Sequence, residues 1–510
     1  MSDRPRSRAS RAQRAACAAL ALLLSAHALP AGGQAGQGQD LPDMGSLADS
    51  VLTGAEEREI ALSVMEQIRR AGKLVADPEI NEYISDVGKR LAYRAQNGDH
   101  QFHFFVVQDP SINAFALPGG YIGVHTGLIE ATANESELAG VLAHEIAHVT
   151  QRHISRQIQA MRGNGIMSMA MLAGALLVGG LLGGGGEMMQ GALMASQGMA
   201  LQQRINFTRA HEHEADRIGI GTLAEAGFDP RGLPSFFETM SRKESLASAA
   251  IPEILRTHPV SVNRIAEARS RITPQMMREA DSSLNYYLAQ AQAQLLDSEN
   301  PELALRRFRS RPLTETPGDI GKFYGEGLAL LEAGRPAEAR EVLRTLRKKH
   351  PNSIPLRIAE ARATASAGNA AAARRAFEDA LRLFPGNVSI AHRYAEALIA
   401  DGQAPKAREL LLEYLINDKL NLETTRLLAQ ASGESGQVAD AHYFMAEYEL
   451  MRRNLNGAHT QLRLALTAAE QSDEVRRSRI EARLEQVELM GERGDRRKQQ
   501  EDRDEEESPG

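Results

Sequence analysis

Apolar residues recur at every third or fourth position over most of the chain, which predicts helices with one buried face. The first such stretch covers 56–70, where Ile60, Val64 and Ile68 are four residues apart. The second covers 78–94 and has the same pattern. We expect both helices to pack against the central helix of the first domain.

Extended segments interrupt the helical pattern after residue 101. The run at 102–107 is aromatic and β-branched, and the short apolar segments 113–117 and 121–124 are joined by Pro118-Gly119-Gly120. This pattern predicts a small antiparallel sheet just before the central helix.

One of these segments is a candidate substrate strand. At an edge of the sheet, the backbone of Asn113, Ala114, Phe115 and Ala116 can pair with an extended peptide, and main-chain hydrogen bonds then supply affinity for many sequences. An ordinary core hairpin explains the same residues equally well, so both interpretations stay open at this stage.

One helical turn supplies the chemistry of the first domain. His144 and His148 are four residues apart, so both imidazoles lie on one helix face and can bind one Zn²⁺ ion. Glu145 can take a proton from water at the metal, as a general base. Asn134 and Glu137 form a capping box at the start of this helix. An HExxH motif also arises by chance, so the prediction requires a third ligand.

Residues 209–219 supply that ligand. Glu212 and Asp216 are four apart on a predicted helix, so Glu212 can bind the metal while Asp216 hydrogen-bonds an imidazole N–H of a ligand histidine. Glu214 lies on a different side of this helix and ranks below Glu212 as a ligand.

An uncharged stretch separates the two motifs. It covers 163–186 and approaches the length of a membrane span, but its glycine pairs make a poor lipid-facing helix. A single crossing would also put Glu212 on the opposite side of the membrane from His144. We therefore predict that 166–201 is an apolar lid or a membrane-surface hairpin over the active site. A membrane-embedded peptidase anchored by 166–182 is the alternative.

A 34-residue repeat follows the peptidase motifs. The repeated small residues are Gly334, Gly368, Gly402 and Gly436, together with Ala339, Ala373, Ala407 and Ala441. This is the tetratricopeptide period, in which small residues let two helices approach closely. We predict a tetratricopeptide-repeat domain over 281–490, whose concave face recruits a protein, and a disordered charged tail over 491–510.

Composition narrows the fold class and the partners. The 510 residues are 43% hydrophobic, which is enough for two or more domains with their own cores. The absence of Trp and an aromatic content of 5% favour helices rich in Ala and Leu over a large β-sandwich. The net charge of −7, without a strongly basic domain, argues against a nucleic-acid partner. The fold class is therefore α+β, mostly α.

The N-terminus has the composition of a secretory signal over 1–28, followed by a flexible leader over 29–49. Five arginines precede an apolar block at 15–25, and Ala26-His27-Ala28 matches a cleavage site. A mitochondrial transit peptide is the alternative, but the sharply bounded Leu-rich block favours export. Cys17, the only cysteine, lies in the removed segment, which fits a disulfide-free periplasmic protein.

Four sequence features carry a resemblance to a known family. They are the HEIAH motif, the ExEAD sequence that begins at Glu212, the preceding hairpin NAFALPGGYIGVHTGLI, and the turn Thr257-His258-Pro259. Together they resemble the periplasmic β-barrel assembly-enhancing proteases, which are gluzincin metallopeptidases of the CAAX-prenyl-protease group. The similarity covers roughly residues 50–275 and continues in domain order to the C-terminus.

The resemblance implies a zinc metallopeptidase domain over 50–275 with one Zn²⁺ per subunit. The site residues that it implies are His144, His148 and Glu212 on the metal, Glu145 as base, and Asp216 as an acid that supports a ligand or donates a proton. Family analogy also places His258 at the fourth metal position in a resting state. From the residues alone, His258 is a turn residue before Pro259.

The resemblance also implies a function. It is that of a periplasmic zinc-dependent metalloendopeptidase in the quality control and assembly of outer-membrane β-barrel proteins. Expected partners are these β-barrel proteins as substrates and the β-barrel assembly machinery through the repeats, with peripheral membrane association. The alternative is a chaperone-like repeat adaptor for which proteolysis is secondary.

Overall fold

The computed structural model describes the chain over 52–95, 101–156, 209–246, 252–310, 318–417, 421–471 and 473–507. The predicted signal (1–28), leader (29–49) and lid (166–201) lie outside these ranges. Among the residues within them, no helix combines the length and the hydrophobicity that crossing a bilayer requires.

The first part of the chain forms helices around a three-stranded sheet. The strands are β1 (His103–Val107), β2 (Ala114–Leu117) and β3 (Tyr121–His125). The helices are α1 (Gly54–Arg70), α2 (Pro78–Arg94), α3 (Thr126–Ala131), α4 (Glu135–Thr150), α5 (Arg209–Glu225), α6 (Gly232–Leu246), α7 (Glu253–Thr257) and α8 (Val262–Ser270). The helices predicted over 56–70 and 78–94 are therefore confirmed as α1 and α2.

The sheet is mixed rather than antiparallel, which corrects the sequence prediction. β3 lies in the centre, parallel to β1 and antiparallel to β2. Gly123 on β3 allows this order, because the rings of Phe105 and Phe115 pack over it from the two neighbouring strands. A Cβ at Gly123 would lie 2.4 Å from the Phe115 ring. Apolar patterning predicts strands but not which strand is central, and β2 forms one edge.

Helix α4, which carries the HExxH motif, is almost entirely buried. Asn134 caps it by accepting the Glu137 N–H at 3.0 Å, whereas the Glu137 carboxylate accepts the Ala133 N–H and does not complete the predicted capping box. Gly219 lets α5 approach α4 closely, because a Cβ there would lie 3.2 Å from the His144 backbone nitrogen. The two helices thus hold their motifs against each other.

The second part of the chain consists of paired helices. They are α9 (Leu284–Leu296), α10 (Pro301–Ser310), α11 (Gly318–Glu332), α12 (Pro336–Lys349), α13 (Ile354–Ser366), α14 (Ala370–Leu383), α15 (Val388–Ala400), α16 (Ala404–Asn417), α17 (Leu422–Glu434), α18 (Val438–Met451), α19 (Leu455–Ala468) and α20 (Glu474–Glu507). Tyr286 of α9 is fully buried in the core of the first part and donates to the Thr132 carbonyl at 2.7 Å. Helix α9 therefore joins the two parts.

The repeat glycines form the turns within helix pairs rather than close helix contacts, which corrects the expectation for these positions. Each has a φ between 67° and 85°, where glycine is favoured, and a Cβ on any of them would meet no atom within 4 Å. These glycines are Gly334, Gly368, Gly402 and Gly436. The buried small residues are alanines, since Ala339, Ala373 and Ala407 are at most 1% exposed.

Helix α20 continues to Glu507, so the structure has a helix where the sequence predicted a disordered tail from residue 491. This segment is rich in Glu, Arg and Gln, which have high helix propensity. Opposite charges three or four positions apart further support a helix.

Polar side chains of the repeats also contact the first part of the chain. Arg393 of α15 forms ion pairs with Asp77 and Glu79 at the start of α2. The Ser389 hydroxyl donates to the Glu82 carboxylate one turn further along α2. The repeats are thus held against the peptidase part by charged contacts as well as by α9.

Candidate metal centre

Helices α4 and α5 bring two histidines and one glutamate into a single buried cluster. The Nε2 atoms of His144 and His148 are 3.0 Å apart, and each lies 3.5 Å from a carboxylate oxygen of Glu212. The residue after α7 adds His258, whose Nδ1 lies 3.0 Å from Glu212 Oε1. One ligand atom from each of these four residues lies within 4.8 Å of the others. Such convergence of imidazoles and a carboxylate can hold a metal ion.

The electrostatics of this cluster favour the metal-binding forms of Glu212 and His148. Burial raises the pKa of the Glu212 carboxyl, but His258 and His144 outweigh burial and hold that pKa well below its usual range. Burial and the neighbouring His144 hold the pKa of His148 well below that of a free imidazole. An ionised carboxylate and a neutral imidazole are the forms that bind metals.

Glu145 lies beside the cluster and is 1% exposed. Its Oε1 is buried and accepts no hydrogen bond, and it lies 3.6 Å from His258 Nε2. Burial raises the pKa of this carboxyl, and the backbone of Ala116 on β2 faces it. A buried carboxylate of raised pKa is suited to accept a proton and to return it.

The predicted strand residues have different environments. Ala116 borders Glu145, so β2 places its backbone at the metal cluster. Asn113 precedes β2, and its carbonyl accepts the His125 N–H at 3.0 Å. Ala114 and Phe115 are buried. The structure therefore brings Ala116 to the site and uses the other three in the sheet and its core.

Asp216 lies behind His144, with its Oδ1 3.0 Å from His144 Nδ1. Burial lowers the pKa of His144, but hydrogen bonding with Asp216 and Glu212 outweighs it and raises that pKa to about 10. Arg264 of α8 pairs with both oxygens of Asp216 at 2.8 Å and with Glu212 Oε2 at 2.8 Å. It also donates to the carbonyl of Pro259, which follows His258. Arg264 thus ties the acids of α5 to the turn that carries His258.

Two further residues of the site were missed from the sequence. His153 Nδ1 lies 2.9 Å from His148 Nδ1, and His153 Nε2 lies 3.1 Å from Glu214 Oε2. The available signal was a further histidine five residues after His148. For Arg264, the sequence offered a weaker signal. It was only that Glu212 and Asp216, if buried, need a cation beside them.

Comparison with known proteins agrees with the motifs. Residues 78–272 match the model of peptidase family M48, and 323–353 and 364–424 match tetratricopeptide-repeat models. A putative beta-barrel assembly-enhancing protease of Vibrio cholerae is 36% identical over 336 residues, which are 66% of this chain and 68% of that protein. The beta-barrel assembly-enhancing protease of Escherichia coli (strain K12) is 34% identical over 322 residues, 61% of this chain and 64% of the relative.

A more distant relative shares the peptidase part. The mitochondrial metalloendopeptidase OMA1 of Schizosaccharomyces pombe is 34% identical over 183 residues, which are 36% of this chain and 50% of that protein. These matches confirm the predicted resemblance, and with the observed helices they confirm the fold class of a metallopeptidase followed by tetratricopeptide repeats. The chain is a metalloendopeptidase and belongs to the beta-barrel assembly-enhancing protease family of M48 peptidases.

Proposed function

We propose that this chain is a periplasmic zinc-dependent metalloendopeptidase that degrades misassembled outer-membrane β-barrel proteins and assists their assembly. The observation that carries the reaction is the position of Glu145 beside the cluster of His144, His148 and Glu212. The substrate class rests on the names of the Vibrio and Escherichia relatives. The periplasmic location rests on that class together with the predicted signal at 1–28.

Zinc is supported by the types of ligand and by the size of the cluster. Nitrogen and oxygen ligands about 2.0–2.1 Å from a tetrahedral Zn²⁺ lie about 3.3 Å from one another. Five of the distances between ligand atoms of different residues are 3.0–3.5 Å, and with one ligand atom per residue all four atoms lie within 4.8 Å of one another. We propose one Zn²⁺ per subunit, held by His144, His148 and Glu212, with His258 at the fourth position in a resting state.

The reaction is peptide-bond hydrolysis. When bound, zinc supplies Lewis acidity that polarises the scissile carbonyl and lowers the pKa of water. Glu145 takes a proton from the attacking water and passes it to the nitrogen of the leaving amine, for which its burial and raised pKa are suited. Asp216 holds the ring of His144, and Arg264 in turn fixes Asp216.

The substrate lies along the edge of β2 that faces away from β3. The backbone of Ala116 borders Glu145, so a peptide paired with this edge would bring its scissile bond to the general base. Backbone pairing tolerates many side chains, which suits an enzyme that removes diverse misassembled proteins. The repeats would contact the β-barrel assembly machinery, as helical repeats commonly present extended binding surfaces.

A substrate trap tests the proposed function. The full-length Glu145→Gln protein, expressed in cells that lack the native chain, should retain zinc and accumulate β-barrel proteins that the active enzyme removes. Metal analysis of the purified protein should give one zinc per chain. Captured proteins without enrichment in β-barrels would overturn the substrate class, and a chain purified with another metal would overturn zinc.

The same variant separates proteolysis from the adaptor alternative. Deleting residues from 281 onward would remove Tyr286 from the core of the peptidase part, so it would damage both activities. Glu145→Gln leaves the repeats unchanged. If this variant supports β-barrel assembly as well as the wild type does, the adaptor role dominates and proteolysis is secondary.

A further inference from the structure

The ring nitrogens of His148 have different surroundings. Its Nε2 faces the cluster, 3.0 Å from His144 Nε2 and 3.5 Å from Glu212 Oε1. Its Nδ1 faces away from the cluster and lies 2.9 Å from Nδ1 of His153. His148 is 0% exposed, so water does not hold the ring in place. The contact with His153 therefore holds the ring of His148 from the side opposite the cluster, while His144 and His258 contact the ring within the cluster.

The protons along this contact are assigned by valence. A neutral imidazole that offers the Nε2 lone pair to a metal carries its proton on Nδ1. His148 Nδ1–H then donates to His153 Nδ1, which leaves the His153 proton on Nε2. That nitrogen lies 3.1 Å from Glu214 Oε2, which accepts it. Only one assignment of protons therefore gives each donor an acceptor: His148 donates to His153, and His153 donates to Glu214.

The backbone places His153 for this contact. Arg152 has a φ of 52°, an uncommon left-handed conformation for a residue other than glycine, and it turns the chain back after α4. The Arg152 guanidinium donates to the Leu52 carbonyl at 3.2 Å and to Glu57 at 2.9 Å, which stabilises the turn. The His153 ring then stacks on His211, with centroids 4.4 Å apart and planes 16° apart.

We propose that His153 and Glu214 are positioning residues that hold metal ligand His148 in the tautomer and orientation that metal binding requires. The inference rests on the proposed function, because it assumes that His148 binds the metal. His144 is held directly by a carboxylate, that of Asp216, whereas His148 reaches its carboxylate through a second imidazole. Outer partners of ligand histidines commonly change metal affinity 10–100-fold.

Zinc affinity of full-length variants, measured by competition with a chromophoric chelator, tests this proposal. His153→Ala should weaken zinc binding about 10–100-fold. His153→Asn should recover part of the affinity, because its Oδ1 can replace the acceptor at the position of His153 Nδ1. Glu214→Ala should have a smaller effect than His153→Ala, since Glu214 is 31% exposed and water can replace its carboxylate. In Co²⁺-loaded protein, the visible ligand-field spectrum of His153→Ala should shift.

The control is His392→Ala in the repeats. His392 is also buried and hydrogen-bonded, to Thr424 at 2.8 Å, but it lies on α15, outside the metal cluster. It should lose thermal stability without losing zinc affinity. An equal loss of zinc affinity in both variants, or a His153→Ala affinity within twofold of wild type, would overturn the proposal.

His148→Ala separates failure of the inference from failure of the proposed function. If His148 is a ligand, this variant should lose stoichiometric zinc binding. Loss in His148→Ala with wild-type affinity in His153→Ala would remove only the positioning role. Wild-type zinc affinity in His148→Ala would overturn the metal site and with it the inference.

Discussion

Two clusters of charged residues, each largely shielded from solvent, differ in how completely their carboxylate oxygens are hydrogen-bonded. The docking cluster, formed by Asp77, Glu79 and Arg393, joins α2 to repeat helix α15. Arg393 contacts the two oxygens of Glu79 at 2.9 and 2.8 Å and Asp77 Oδ2 at 2.5 Å. Asp77 Oδ1 accepts the backbone N–H groups of Glu79 and Ile80. Every carboxylate oxygen of this cluster therefore has a donor.

The metal cluster, formed by His144, His148, Glu212 and His258, has a different character. His144 Nε2 lies 3.0 Å from His148 Nε2 and 3.4 Å from His258 Nδ1, and the adjacent Glu145 Oε1 is buried without a hydrogen-bond donor. A cluster in which every carboxylate oxygen has a donor stabilises a contact, whereas converging ligand atoms beside a buried carboxylate oxygen without a hydrogen-bond donor are typical of a site that a metal and a substrate complete. Substitutions in the docking cluster should therefore change the stability of the fold, whereas substitutions in the metal cluster should change zinc affinity or turnover.

The largest expected effect is on turnover in Glu145→Gln. The amide cannot act as a general base, so hydrolysis of an unfolded protein substrate should fall about 10²–10⁴-fold. Zinc content and the midpoint of thermal unfolding should stay close to those of the wild type, because the amide is nearly isosteric. Turnover within tenfold of wild type would assign the base to another residue.

The next effect is on stability in Arg393→Ala. Removing one member of a buried ion pair costs about 3–5 kcal/mol, because Glu79 is left buried without its partner. Urea unfolding should show this loss, while zinc affinity stays unchanged. The control is Arg382→Ala, which breaks an exposed pair with Asp379 and should cost less than about 1 kcal/mol. Equal losses in both variants would place the docking cluster among ordinary surface pairs.

A smaller effect is expected on zinc affinity in Asp216→Asn. The amide is uncharged and a weaker acceptor for the His144 Nδ1–H, and it leaves Arg264 with one charged partner fewer. Zinc affinity should fall about 10–100-fold. Competition with a chelator measures this change. An unchanged affinity would limit Asp216 to a structural role with Arg264.

Some residues of these clusters could be predicted from the sequence alone, and others could not. Four-residue spacing within a helix places His144 and His148 on one face, so that part of the site follows from local geometry. Arg264 and His153 do not, because an arginine or a histidine near a helix end is equally compatible with solvent. Only the turn at Arg152 and the packing of α8 bury them. The mixed sheet, the glycine turns of the repeats and the docking cluster likewise depend on tertiary contacts.

His258→Ala should raise peptidase and self-cleavage activity. His258 lies 3.0 Å from Glu212 Oε1 and 3.6 Å from Glu145 Oε1, where water or a substrate carbonyl would lie. If about nine molecules in ten rest with this position filled, its removal raises the rate up to about tenfold. Initial rates at saturating zinc measure the effect. An unchanged rate would make His258 a turn residue, and a lost rate with zinc retained would make it an oxyanion donor.

The smallest expected effect is the pH dependence of the docking cluster. Burial and the charge of Glu79 raise the pKa of Asp77 to about 7. Burial opposes the ionised form of Glu79, but Arg393 outweighs it and lowers the pKa of that carboxyl to about 2. The pKa of Asp77 is higher in the folded chain than in the unfolded chain, so its contribution to stability is fully present below about pH 4. That contribution is lost as the pH rises from about 4 through about 7. The Glu79 contribution is present above about pH 4.3 and is lost as the pH falls towards 2.

The two contributions overlap most near pH 4, so docking should be strongest there, and the unfolding temperature should fall from pH 5.5 to pH 8, by about 2–4 °C for each kcal/mol lost. Asp77→Asn should flatten this slope, because asparagine still caps α2 but carries no titratable group. Asp379→Asn, at an exposed position, should keep the wild-type slope. The difference between the pH slopes of the unfolding temperature in these two variants gives the contribution of Asp77 alone, without that of the other titrating groups. Equal slopes would assign the pH dependence to residues outside the docking cluster.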